Sequence, residues 1–369
     1  MTYKRAIFYL IIFLLFISSL IFVHHNYTFY NQTIAKVVET KIEETTEVTD
    51  QYENKDTLYT QHIVAEIKNG EHKGKQMILT NEYSNSGAYD YHFAIGNELF
   101  VKIDKNAMQD SATITGDIID VKRDKYLVII AWIFFFTLLI VGKKQGLFAS
   151  VSLVVNIMLL SYALDFYIKT NTNLLWICGM TVIIFTVISL LLVNGRNEKT
   201  YAAIIATLLG TFFAVFVTYL AMWVTNENGL RYEEMQFLTR PYHLIFLAGL
   251  FIGSLGAVMD VAISISSAIF ELYEKNHDIP IQQLKKSGFD IGKDIMGTMT
   301  NILFFAYVSG SIPMLILYIS NYSPLGFTLT MNLSLELARA LAGGIGIVIT
   351  IPIGLYTTIF FVNRKRAKQ

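Results

Sequence analysis

The chain has 369 residues, of which 53% are hydrophobic, 14% aromatic and only 16% charged, with 29 basic and 29 acidic side chains in balance. A soluble globular domain carries about 25% charged residues, so this composition, with a mean hydropathy of +0.46, excludes an ordinary soluble protein. Five prolines and one cysteine exclude collagen-like and disulfide-scaffold classes, and zero net charge supplies no field to attract nucleic acid.

A helix needs about 20 apolar residues to cross roughly 30 Å of hydrocarbon. Eight segments meet or approach that: 5–24, 126–142, 146–168, 174–193, 201–225, 243–270, 295–320 and 337–361. The first follows Lys4 and Arg5 and lacks a small-x-small cleavage site, because Ser18-Ser19 runs on into Leu20-Ile21-Phe22; this favours an uncleaved anchor over a signal peptide. The expected organisation is a membrane anchor over 1–25, an extracytoplasmic β-rich domain over 26–125, a seven-helix bundle over 126–361 and a basic tail over 362–369. Basic side chains crowd one set of connections: Lys4 and Arg5, Lys143 and Lys144, Arg196 and Lys199, Lys275, Lys285, Lys286 and Lys293, and Arg364, Lys365, Arg366 and Lys368. The opposite short connections hold only Lys169, Arg231 and Arg240. By the positive-inside rule both termini are cytoplasmic and the β-rich domain faces outward.

Acidic residues outnumber basic ones in 26–125, and short β-rich pieces recur at 33–39, 57–68, 75–80, 98–103 and 112–121. Lys68-Asn69-Gly70 and Ser84-Asn85-Ser86-Gly87 punctuate them as turns. Residues 66–79 read as strand, turn, strand. Five short strands suggest a small closed barrel of the OB type, with a loose β-sandwich as the alternative. Tyr83, Tyr89, Tyr91, His92 and Phe93 cluster in one stretch; they form either an aromatic platform for a sugar or base or core filling with surface tyrosines, the blander and favoured reading. His62, His72 and His92 match no recurring metal spacing. The acidic excess disfavours nucleic acid.

Within the spans the informative residues are those that hydrocarbon should exclude. A charged group near the bilayer centre costs at least about 2.5–3.5 kcal/mol. Asp260 is the clearest case. At helical spacing Gly249, Gly253, Gly256, Asp260, Ser264, Ser267 and Glu271 fall on one stripe, where small residues allow close helix approach. The next span carries Asp294, Thr298, Asn301, Phe305 and Ser309, and the last Glu336, Ala340, Gly343, Gly346, Thr350 and Gly354. At about 1.5 Å per residue, Asp260, Ser264, Asn301 and Thr350 fall at similar depths in the inner half of the bundle, so they are expected to meet in one substrate- or ion-binding cluster. Asn156 is a further amide in hydrocarbon. The depth of Arg339 separates it from Asp260 and makes Glu336 or Glu233 and Glu234 its better partners, while Lys293 and Asp294 lie at the interface. Plain helix packing accounts for the glycines; it does not account for a carboxyl group.

Gly288–Asp294 looks faintly like a phosphate loop but has three residues between its glycines and Asp where Ser or Thr should stand, so it is rejected. No zinc-protease pair, nucleophile elbow or other catalytic constellation appears, and no cofactor signature. The segment 271–294 is expected as a connector, either amphipathic on the inner membrane surface or solvated.

Three stretches, Gly253–Ala268 (GSLGAVMDVAISISSA), Ser287–Pro313 (SGFDIGKDIMGTMTNILFFAYVSGSIP) and Glu336–Pro352 (ELARALAGGIGIVITIP), resemble the YibE/F-like multi-pass membrane proteins of bacteria. The anchor, external domain and bundle follow the same layout, so the resemblance spans nearly the whole chain. It implies at most a permease role and a pairing between long and short forms, and it carries no catalytic assignment onto the matching Asp260, Asp294, Asn301, Glu336 and Arg339. The sequence thus predicts a mainly α, eight-span, non-enzymatic membrane bundle with an inserted β domain. It is expected to act as a permease or permease subunit through a polar cluster around Asp260, with the lipid bilayer and either a second subunit or another copy as partners. The alternative is a non-transporting assembly or envelope-binding component.

Overall fold

A computed structural model describes residues 3–87, 90–104, 114–170, 172–234 and 241–367. The chain divides into two compact units, Met1–Thr137 and Leu138–Gln369.

The first unit opens with α1 (Tyr3–His25), whose described apolar side chains are mostly exposed, as lipid contact requires, and a single 3-10 turn (Asn26–Phe29). Five strands follow: β1 (Thr33–Thr49), β2 (Lys55–Ile67), β3 (Gln76–Ser84), β4 (Glu98–Ile103) and β5 (Ile114–Val121). Their hydrogen-bonded order β1-β2-β3-β5-β4 closes back on β1 as a barrel, with β3 and β5 parallel and the other pairs antiparallel. The period-2 alternation of β2 sends Ile63, Ala65 and Ile67 inward, where they meet Val37, Met77, Leu79, Leu99 and Val101. Sequence and structure agree on β4 residue for residue and on the β2-turn-β3 hairpin. β1 is ten residues longer than expected: its Thr/Glu-rich second half pairs with 55–61, and bulges after Val37 and Ile42 let the ribbon continue.

Two buried amides fix this domain. Asn69 accepts from the amide of Ile34 and donates to the carbonyls of Tyr27, Tyr30 and Gln32, tying the chain entry to the turn that the sequence marked. Gln61 donates to the Phe93 carbonyl at 2.7 Å and accepts from its amide, which seats Phe93 in the core. The aromatic stretch therefore splits. Phe93 is core, Tyr83 stacks on Tyr59 with ring centroids 4.9 Å apart, and His92 meets the Tyr83 edge; Tyr89 lies outside the described residues.

The helices α2 (Asp124–Lys169), α3 (Leu174–Asn194), α4 (Glu198–Thr225), α5 (Tyr242–Lys275), α6 (Ile281–Ser309), α7 (Ile312–Ser320) and α8 (Leu325–Arg366) complete the chain. Among the described residues six helices are individually long and apolar enough to cross a membrane, or seven if α6 and α7, bent by 59°, count as one span. The eight separate spans of the sequence are not eight separate helices. Segments 126–142 and 146–168 both lie on α2, broken at Lys143 with φ 50° and ψ −118°. The expected connector 271–294 is mostly helix: α5 runs through Lys275 and α6 begins at Ile281, just after Pro280, whose fixed φ suits a helix start. The rejected phosphate-loop motif is thus continuous α6.

In the second unit α8 packs against α4, α5 and α6 through Ile347, Ile351 and Leu355 facing Ile265 and Ile269. Small residues set the spacing with α4, since a Cβ at Gly210 would fall on the Thr350 side chain. Cys178 on α3 is buried beside Leu174 and Ala248.

Candidate functional site

The α5 stripe read from the sequence lies on the outside of the second unit. Gly249, Gly253, Gly256, Asp260 and Glu271 are exposed, and Ser264 and Ser267 are half-buried. The opposite face, with Leu250, Leu255, Val258, Val261 and Ile265, is buried in the bundle. The division follows from packing. Lipid is as apolar as protein, so contact rather than escape from water selects the inward face, and Val261 and Ile265 interlock with Ile347, Ile351 and Leu355 of α8. Asp260 stands near the middle of this 34-residue helix, roughly 22 Å from its C-terminal end at 1.5 Å per residue. It makes no hydrogen bond or ion pair with any described residue.

The surroundings of the stripe are uneven. A Cβ at Gly253 would collide with the Tyr307 hydroxyl of α6, while nothing lies within 4 Å of one at Gly249 or Gly256. The Tyr307 hydroxyl itself is sealed from solvent without a hydrogen-bond partner among the described residues. On α6 the expected row Asp294, Thr298, Asn301, Phe305 and Ser309 is exposed, and the Asn301 amide bonds to no described residue.

Depth matching does not bring all the expected residues together. Thr350 is fully buried, donates to the Gly346 carbonyl at 2.7 Å and lies against Gly210 of α4, so no hydrogen bond joins it to Asp260, Ser264 or Asn301. Asn156 belongs to a different contact: it donates to Ser189 of α3 at 2.7 Å, and Ser152 donates to the same hydroxyl at 3.0 Å. Arg339 pairs with Glu336 on its own helix, as the spacing anticipated, and stacks over Phe246. Lys293 lies 3.9 Å from Asp290, and Asp294 is exposed. Of the outer-loop alternatives, Glu234 is outside the description of side chains.

A second polar centre, in the first unit, was not read from the sequence. Lys122 is 1% exposed. Its ammonium lies 3.0 Å from Glu98 and 2.9 Å from Asp124 and donates to the Val23 carbonyl at the end of α1. Tyr27 donates to Glu98, and Tyr30 and Asn26 donate to Asp124. The knot ties the end of α1, strand β4 and the start of α2. Burial by itself would lower the Lys122 pKa, but the hydrogen bonds and charges of Asp124 and Glu98 prevail and hold it above its ordinary value. In the same unit Trp132 of α2 donates to Ser19 of α1 and packs edge-on against Phe16. The available signal was a lysine between a strand and a span, with two tyrosines before the barrel.

Among the described residues no group of three or more His, Cys, Asp or Glu is placed to hold a metal ion. Two family models match the chain: YibE/F-like protein over residues 130–364, and YibE/F family N-terminal domain over residues 28–121. No curated protein and no solved structure matches it.

Proposed function

The chain belongs to the YibE/F-like family of membrane proteins, and from that premise we propose that it is a permease or permease subunit of the cell membrane, moving a small solute or ion past Asp260. The observation that carries this reading is the position of that carboxyl group. It lies midway along a membrane-length helix, open and unpaired, on a strip of glycines and serines that leaves space at Gly256. An acid in hydrocarbon carries a cost of several kcal/mol, and a visiting solute, ion or proton offsets it. Ser264 and Asn301 are the polar groups we assign beside it; Thr350 and Asn156 serve packing in this reading. The bent α6–α7 pair, broken at Gly310–Ser311, supports it, because discontinuous helices recur at transport sites.

The layout we propose has eight passes. The break at Lys143 makes two of α2, and α6 with α7 makes one. Both termini are cytoplasmic, the barrel, of OB type, faces outside, and the protein is neither an enzyme nor a nucleic-acid binder. The bilayer is its first partner and a second membrane subunit or copy its next. The second reading, an assembly component, draws on the same strip, since exposed small residues suit the approach of another helix.

Purified protein in liposomes, wild type beside Asp260→Asn, with and without a proton gradient, tests the proposal. Solute or ion flux that the substitution abolishes supports it. Equal flux in both, or none in either across a broad solute panel, sinks it.

A further inference from the structure

Where α5 and α8 end and α6 begins, the second unit presents a basic face. Lys365 of α8 lies 3.5 Å from Glu274 of α5, and Arg366 donates to the Ile279 carbonyl just before α6, so the three ends meet. α6 has 29 residues and is about 43 Å long at 1.5 Å per residue, against roughly 30 Å of hydrocarbon. Its charged residues, Lys285, Lys286, Asp290, Lys293 and Asp294, all lie in the first half, and the stretch from Ile302 onward carries no charge. The excess length therefore falls at the start, and in a bilayer it puts roughly the first nine residues of α6 in the headgroup layer.

The lysines at this end are not treated alike. Lys275 pairs with Glu271 at 2.9 Å, Lys293 lies 3.9 Å from Asp290, and Lys365 has Glu274. Lys285 and Lys286 have neither an ion pair nor a hydrogen bond among the described residues. Packing sends them to the side. Leu284 is buried, and a Cβ at Gly288 would meet Leu355 of α8 and Ile269 of α5, so Lys286 is exposed and Lys285 leans across to α8. Its ammonium stands 5.0 Å from the centroid of the Tyr356 ring, which attracts a cation but supplies no anion. Tyr356 and Phe360, one turn apart on α8, are 54% and 64% exposed. Arg364, a further turn on, is exposed and likewise forms no ion pair among the described residues. Adjacent cations without a counter-charge thus adjoin an aromatic row that faces out of the bundle.

We propose that this face binds the headgroup of an anionic phospholipid. Its phosphate meets Lys285 and Lys286, and its acyl chains lie along Tyr356 and Phe360. The occupant is a lipid rather than a soluble anion because the aromatic side chains beside the lysines are exposed on a membrane-length helix, and basic pockets between helix ends suit acidic headgroups. The assignment does not depend on transport past Asp260.

The test is equilibrium binding of labelled dioctanoylphosphatidylglycerol to the purified full-length chain in neutral detergent, with dioctanoylphosphatidylcholine and glycerol phosphate as competitors. Saturable binding that neither competitor displaces at equal concentration is the expected result. Lys285→Met and Lys286→Met should each weaken it about tenfold or more, and Lys285→Arg should retain it. Lys275→Met removes a paired lysine from the same end and should change affinity by less than about twofold. Melting temperatures without lipid separate lost binding from lost folding. Tyr356→Leu, expected to weaken binding about threefold, reports on the site where a lysine variant does not fold. Phosphatidylcholine displacing the label as well as unlabelled phosphatidylglycerol does would mean lysines that merely snorkel, and the assignment would fall. Equal displacement by glycerol phosphate would make this a soluble-anion site and overturn it too. So would no saturable binding, an equal loss in Lys275→Met, or wild-type affinity in both lysine-to-methionine variants.

Discussion

Lys122 and Asp260 are handled in opposite ways by the same chain. Lys122 is buried, and every charge near it is matched by an ion pair, a tyrosine hydroxyl or an amide. Asp260 is on a membrane-length helix, where charge is at least as costly, yet no described residue answers it. The matched cluster is complete without any visitor, and its work is mechanical: it fastens a barrel to the helices at its base. In the proposed permease the unmatched acid takes its partner from outside the chain. Buried charge by itself therefore says little about function; the presence or absence of an internal counter-charge separates the two cases.

Four measurements can break or sharpen this contrast. The largest effect is expected at the knot. Lys122→Met strands Glu98 and Asp124 without their cation and should cost about 3–5 kcal/mol, read as a lower midpoint in denaturant unfolding of the full chain. Because the Lys122 pKa is raised on folding, its contribution is complete at neutral pH and disappears only as pH climbs through that elevated value. A wild-type midpoint that declines between pH 6 and 8, a range of about two units around neutrality, through this residue would contradict the matched-cluster reading.

The next effect is steric. Gly210→Val drives methyl groups onto Thr350 and should cost about 1–3 kcal/mol, with Thr350→Ala in the same chain restoring part of it. If the double variant is no more stable than the single, Thr350 is not packed as described. Third, Asp260→Asn should leave stability within about 0.5 kcal/mol of wild type while removing flux; a large stability loss would place Asp260 beside Lys122 as a structural charge.

The smallest effect concerns Asp56 on the barrel surface. The Ser86 hydroxyl first, and then the Thr57 amide, hold its carboxyl below the ordinary aspartate value. Stability gained this way is present above the unfolded pKa and is lost as pH falls through the lower, folded one. Acid unfolding should therefore steepen slightly below about pH 4, and Asp56→Asn should flatten that limb.

Periodicity made much of this architecture readable. The alternation in 57–68 and 98–103 gave strands because one face is buried, and the run from Gly249 to Glu271 was recognisable as a stripe because a helix repeats every 3.6 residues. Depth was a weaker guide. Thr350 shares a level with Asp260, but level follows from rise along the axis, and direction around the axis follows from packing; the Gly210 contact turns Thr350 toward α4. The second half of β1 was missed since Thr, Glu and Lys dominate there and Ile42 and Val48 are too far apart to mark an apolar face. The Lys122 knot was missed because Tyr27 and Glu98 are far in sequence from each other and from Lys122 and Asp124, and the four meet only when the barrel closes.

The burial of Cys178, the sole thiol in the chain, makes the native protein nearly silent to water-soluble maleimides. A reporter cysteine placed at Gly256 or Ser264 would then be the one reactive position on the molecule, and its labelling rate from either side of a sealed vesicle would trace which compartment reaches the strip.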